Sequence, residues 1–154
     1  MKKYIIVLIL FINITACKKE RPTLEPAGSK VEGIQDDWKL FRVMQYDEIS
    51  QKELDVSSVY IGKQPMVLTF KISGTDTAYT NLPGTSVNYL GENGTWHFDN
   101  NEFPTTLTIR FDGNDHILKL NRTVRPQDQT LEFKFSKVCH GKRVVSYNYT
   151  FKRM

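Results

Sequence analysis

The chain has 154 residues, 40% hydrophobic and 25% charged, with a formal charge of +4 at pH 7. Loss of Lys2 and Lys3 with a cleaved leader would halve that charge. Beyond residues 1–32 no run of Lys and Arg exceeds a pair, so a nucleic-acid partner is not indicated. Only two cysteines are present, Cys17 and Cys139, which excludes a disulfide-rich scaffold and leaves the fold to be held by packing.

Lys2 and Lys3 precede an apolar run from Tyr4 to Ile12, followed by Ile14-Thr15-Ala16-Cys17. The run is short of the roughly 20 residues that span a bilayer as a helix, but it suits the core of a secretory signal. A small-residue pair placed directly before a cysteine resembles a bacterial lipoprotein lipobox. That resemblance implies a signal peptide over residues 1–16, cleavage before Cys17, and lipid acylation of Cys17. Two or three acyl chains, at about 0.8 kcal/mol for each buried CH2, would anchor the chain to the membrane almost irreversibly. Lys18, where a retention signal would place aspartate, points to the outer membrane of the cell envelope. Residues 17–32 combine the anchor with a polar stretch containing Pro22 and Pro26, read as a flexible tether.

From residue 33 to 154 a single domain is expected, dominated by alternation with period two. Met66, Leu68, Phe70 and Ile72 alternate with Val67, Thr69, Lys71 and Ser73, and near the end Val145, Tyr147, Tyr149 and Phe151 share one face. Strands are expected near 38–46, 66–73, 77–81, 86–90, 95–99, 105–111, 115–121, 130–137 and 143–152. Turn residues around Gly74, Gly91 to Gly94, Gly113 and Gly141 separate them. The fold class is therefore all-β: an antiparallel up-and-down meander of eight to nine strands, closed into a small barrel because closure removes exposed edges. Residues 47–65 are too many for a hairpin turn. Within them DEISQKELDV predicts about two helical turns capped by Asp47, with Ile49 and Val56 facing inward.

Trp38-Lys39-Leu40 near the domain's start, Gly94-Thr95-Trp96-His97-Phe98 in its middle, Leu118-Lys119-Leu120 before a polar loop, and a last aromatic strand from Tyr147 to Phe151 together resemble the lipocalin-like envelope lipoproteins of Bacteroidota, a domain family of unknown function. The Gly-x-Trp opening of true lipocalins is missing, because Asp36 stands where the glycine would be. The resemblance implies a lipocalin-like barrel, and a C-terminal arginine, Arg153, stacked on Trp38. It carries over no catalytic residues.

Trp38, Met66, Phe70, Trp96, Tyr147 and Tyr149 are candidates for the lining of a ligand cavity, although tryptophans that begin strands also serve as core plugs. No nucleophile with its base, paired carboxylates or phosphate loop is evident, so an enzyme is not expected. Cys139 and His140, adjacent on a strand, would point to opposite faces. His97, His116 and His140 lack metal-ligand spacing, and Asp112-Gly113-Asn114-Asp115 reads as a hairpin turn in preference to a calcium loop. No cofactor is implied. Arg122, Arg125 and Asp128 are expected to brace their loop as an ion pair. Asp76-Thr77-Ala78 resembles an O-glycosylation sequon of the same bacterial group, which marks Thr77. The expected role is a non-catalytic lipoprotein binding a small apolar or amphipathic ligand or a short glycan. The alternative is an accessory subunit docking on an outer-membrane protein complex.

Overall fold

The computed structural model describes residues 29–85 and 88–154. The expected signal peptide, Cys17 and most of the tether lie outside them.

The described chain forms α1 (Lys30–Ile34), β1 (Asp36–Asp47), β2 (Lys52–Asp55), α2 (Ser57–Ile61), β3 (Val67–Ser73), β4 (Asp76–Leu82), β5 (Asn93–Phe98), β6 (Thr106–Phe111), β7 (Asn114–Leu120), β8 (Thr130–Cys139) and β9 (Lys142–Arg153). All pairings are antiparallel, and β3 to β9 follow one another around the sheet. The first strand closes the circuit: its first four residues, Asp36 to Lys39, pair with β3 on one side, while β9 runs along nearly its whole length on the other. An eight-stranded barrel results, and β2 extends it by pairing with the part of β1 that β3 does not reach, from Met44↔Asp55 to Asp47↔Lys52.

Alternation is the physical cause of the barrel. Leu68 and Phe70 of β3, Trp96 and Phe98 of β5, Leu107 and Ile109 of β6, and Leu131 and Phe133 of β8 are all buried. Their neighbours in sequence, such as Lys71, Thr95, His97, Arg110 and Lys119, face water. A polar exterior around an apolar interior is the reverse of a membrane-spanning barrel. In β1 the period breaks, because a bulge between Leu40 and Arg42 leaves both Phe41 and Arg42 facing outward and makes Trp38, Leu40 and Val43 the inward set. Two hairpins use turns with positive φ at both central residues, Asp112 and Gly113 (49° and 75°) and His140 and Gly141 (50° and 75°). These are the turns that match the twist of paired strands, which agrees with the hairpin reading of the Asp112 segment.

One end of the barrel, called lower here, is plugged. Ser29 caps α1 by accepting a hydrogen bond from the Glu32 amide, and Ile34 at its other end is fully buried. The Trp38 indole N–H donates to the Ile34 carbonyl at 2.7 Å, so the helix and the first strand hold each other. Arg153 lies over the Trp38 ring, 4.7 Å from its centre, and donates to Asp36 at 3.1 Å and to the Gly33 carbonyl at 2.8 Å. The arginine stack implied by the lipocalin resemblance is therefore present. Gly33 is obligatory here: a Cβ would sit 2.6 Å from the Val124 carbonyl.

Four expectations need correction. The helix predicted after Asp47 does not form. The Asp47 carboxylate accepts from the amides of Ile49 and Ser50 and closes a tight turn instead, leading into β2, while a single helical turn follows later at α2. Ile49 is 78% exposed, whereas Val56 does pack on the core. Of the strand expected at 86–90, residues 86 and 87 lie outside the described residues, and Asn88–Leu90 form no ladder. The expected ion pair of Arg125 with Asp128 is replaced by a turn in which the Arg125 amide donates to the Asp128 carboxylate at 2.8 Å, and Arg122 bonds Thr130. Finally, residues 30–32, expected as tether, belong to α1.

Candidate functional site

At the upper end the wall of the barrel is incomplete. Strands β7 and β8 pair only at Lys119↔Lys134 and Leu120↔Phe133, near the lower end. Above these they diverge, although each stays fully laddered to its other neighbour, β6 or β9. Behind the gap lies a cavity of about 230 Å3. Leu118 and His116 of β7 and Phe133 and Phe135 of β8 form its sides, Met66, Tyr149 and Phe151 its depth, and Tyr89 and Leu90 its rim.

The rim is held by hydrogen bonds from β4. The Tyr79 hydroxyl donates to the Leu90 carbonyl, and the Asn81 amide donates to Asn88 Oδ1 and to the Gly91 carbonyl, both at 2.8 Å. Gly91 has φ +67°, and a Cβ on it would lie 2.6 Å from the Phe111 ring, so a larger residue would push the rim off the barrel. Tyr89 stacks on Phe135 across the mouth at 6.2 Å, and His116 lies flat on Phe111 at 4.2 Å.

Of the candidates read from sequence, Met66 and Tyr149 are on the cavity wall. Trp38, Phe70 and Trp96 are buried elsewhere in packed interior, with exposures of 0%, 1% and 1%. Trp96 meets Phe70 and Phe98 edge-on at 5.7 and 5.4 Å, and its indole N–H reaches the carbonyls of Ala78 and Lys71 at 3.1 and 3.3 Å. Tyr147 stands beside the mouth, its ring 5.6 Å from that of Tyr60 on α2 and beneath the Lys137 ammonium. Thr77 is half-buried on the inward-turned set of β4, with its hydroxyl engaged by the backbone of Trp96. Attachment of a sugar there would cost those bonds. Leu118, Phe133 and Phe135 follow the visible alternation of their strands and could have been added to the lining. Tyr89 and Leu90 could not, because they belong to the segment expected as a strand.

The chemistry of the mouth is that of neutral phenols. Burial pushes the Tyr149 hydroxyl well above the usual tyrosine range, and burial with hydrogen bonding to Tyr147 and Tyr89 does the same for Tyr60. These groups can give or accept hydrogen bonds but hold their protons at any physiological pH. Asp115, exposed at the start of β7 and also lining the cavity, has its carboxylate held below the ordinary value by the Arg110 fork, at 2.5 and 2.8 Å. Among the described residues no three of His, Cys, Asp and Glu gather as a metal site. Cys139 is exposed on the β8–β9 hairpin, far along the strand from the cavity's depth.

Comparison with known proteins adds one finding. A family model described as a domain of unknown function, DUF5004, matches residues 19–152. The chain belongs to that family. No curated protein and no solved structure matches it.

Proposed function

We propose that this DUF5004 protein is a non-catalytic, lipid-anchored lipoprotein of the bacterial cell envelope, on the outer membrane, whose barrel binds a small apolar or amphipathic ligand or a short glycan. The observation that carries the binding reading is the cavity behind the β7–β8 gap, walled by Met66, Leu118, Phe133 and Phe151 with Tyr149 as a polar contact. Concave apolar sites with a few placed polar groups are the usual form of small-ligand sites. Its volume of about 230 Å3 is less than the roughly 300–1,000 Å3 typical for drug-sized ligands, so the enclosed part of the ligand is slim. The anchoring reading rests on the lipobox-like segment ending at Cys17.

Two measurements test the two halves. Metabolic labelling with a fatty acid should place label in the membrane-fraction wild type and none in Cys17→Ser; label surviving in the variant would refute anchoring at that thiol. Native mass spectrometry of the full chain recovered from its source should show an added small mass that is lost in a cavity-filling Leu118→Trp variant. An unadorned wild type that also takes up no amphiphile or oligosaccharide on soaking would end the binding reading.

The docking alternative has one specific support. Ile49, Leu54 and Val59, all within the segment joining β1 to β3, are 78%, 61% and 73% exposed. Exposed apolar side chains gathered on one segment are a common mark of a protein contact. Photocrosslinking from position 54 to a membrane protein would favour it.

A further inference from the structure

On the outer side of the same gap lies a groove of about 500 Å3. Its floor includes Leu120 and Phe135, whose side chains belong to the inward sets of β7 and β8, so the groove looks through the wall into the interior. Ile117 and Phe135 line both the groove and the inner cavity. The two spaces thus adjoin at that pair.

The charge on the groove is one-sided. Lys119, Lys134 and Arg143 line it, and no carboxylate does. Glu48 binds Lys134 at 3.3 Å and also feels Arg143, which offsets one of the three positive charges, while Asp115, which lines the adjoining inner cavity, is paired with Arg110. Both Lys119 and Arg143 are exposed, and among the described residues neither is in an ion pair within 4 Å. An apolar cavity too small for a whole ligand therefore continues, through a gap in the wall, into a larger cationic groove.

We propose that the β7–β8 gap is a lateral portal for a single-chain amphiphile with an anionic head, whose tail occupies the inner cavity and whose head rests on Lys119 and Arg143. The proposal rests on the ligand-binding reading above and names its ligand class. Entry is through the side of the barrel, beneath the β8–β9 hairpin, rather than through the end that α2 and Tyr60 cover. A carboxylate or a phosphate head would each accept charge-assisted hydrogen bonds from these two side chains.

Calorimetric titration of the full chain with decanoate, decyl phosphate and decanol tests it. Both anions should bind about tenfold or more tighter than decanol, which is about 1.4 kcal/mol or more. Their ratio tells a fatty acid from a phosphate-headed lipid. The variant Lys119→Gln/Arg143→Gln, changed only at exposed positions, should bring the anions to the level of decanol and leave decanol binding unchanged. Equal affinity of decanoate, decyl phosphate and decanol for the wild type, or a preference that survives in the double variant, would overturn the head-group assignment while decanol binding keeps the cavity reading alive. If none of the three binds, both fall together. Stopped-flow association separates the route: Ile117→Trp, at a position 66% exposed in the portal, should slow uptake severalfold. Unchanged uptake by that variant would place entry elsewhere and overturn the portal.

Discussion

Trp96 illustrates how a single side chain can satisfy two demands. Its ring fills the space between Phe70 and Phe98, and its N–H is shared by two backbone carbonyls on neighbouring strands. Removal to alanine deletes a large buried surface and leaves those carbonyls with one donor fewer, so Trp96→Ala should cost about 3–5 kcal/mol, read as a large fall in the urea midpoint. A melting temperature within a degree or two of wild type would contradict this role. The neighbouring Gly94 serves the same packing, since a Cβ there would lie 2.0 Å from the Arg110 carbonyl on β6. The tryptophan was legible in the sequence as a large residue on an inward face. Whether it walled a cavity or plugged a core was not, because alternation reports which side a residue faces and says nothing of what stands opposite.

At the level of the element, the gap between β7 and β8 leaves backbone groups without a ladder. The Leu120 amide bonds to the Thr105 carbonyl on the β6 side, so by alternation the amides of Asp115 and Ile117 face the gap. Hydrogen exchange at Asp115 and Ile117 should be faster than at His116 and Leu118, which alternate with them; equal protection along the strand would mean the gap is closed in solution. A second element depends on one carboxylate. Asp99 accepts from the Thr105 hydroxyl at 2.5 Å and from the amides of Thr105 and Thr106 at 2.9 and 3.0 Å, which lowers its pKa from 3.8 to about 2. A folded pKa below the unfolded one contributes stability that is complete above the unfolded value and lost as pH falls through the folded value. The difference in melting temperature between wild type and Asp99→Ala should therefore be full above about pH 4 and vanish towards pH 2; a constant difference would show that Asp99 acts otherwise. The strands and their hairpins were legible element by element from alternation and turn residues. The segment from Asp47 was misread for a physical reason: Asp47 has the right chemistry to cap a helix, and the same carboxylate, bonding the amides of Ile49 and Ser50, closes a turn equally well.

For the whole molecule, Cys139 is the one free thiol among the described residues and no disulfide bridges them. The cooperative melt of the full chain should be the same with and without reductant, and a loss on reduction would reveal a cross-link outside them. Closure itself had no local signature in the sequence, because β1 and β9 recognise each other only by complementary inward faces, and the gap is a failure of pairing between two strands that are each well patterned. The join has a further consequence in time. Its bond from Arg153 to Asp36 spans 117 positions along the chain, whereas the β3–β4, β6–β7 and β8–β9 hairpins bring together residues only a few positions apart at their turns. Local hairpins form within microseconds, but a contact over that span must first overcome the entropy of a long loop. Closure of β9 onto β1 should therefore come late and set the folding rate, and until it does the nascent sheet carries two raw edges able to pair with another copy. A chaperone that shields β9 during this interval would protect the molecule at its most vulnerable moment.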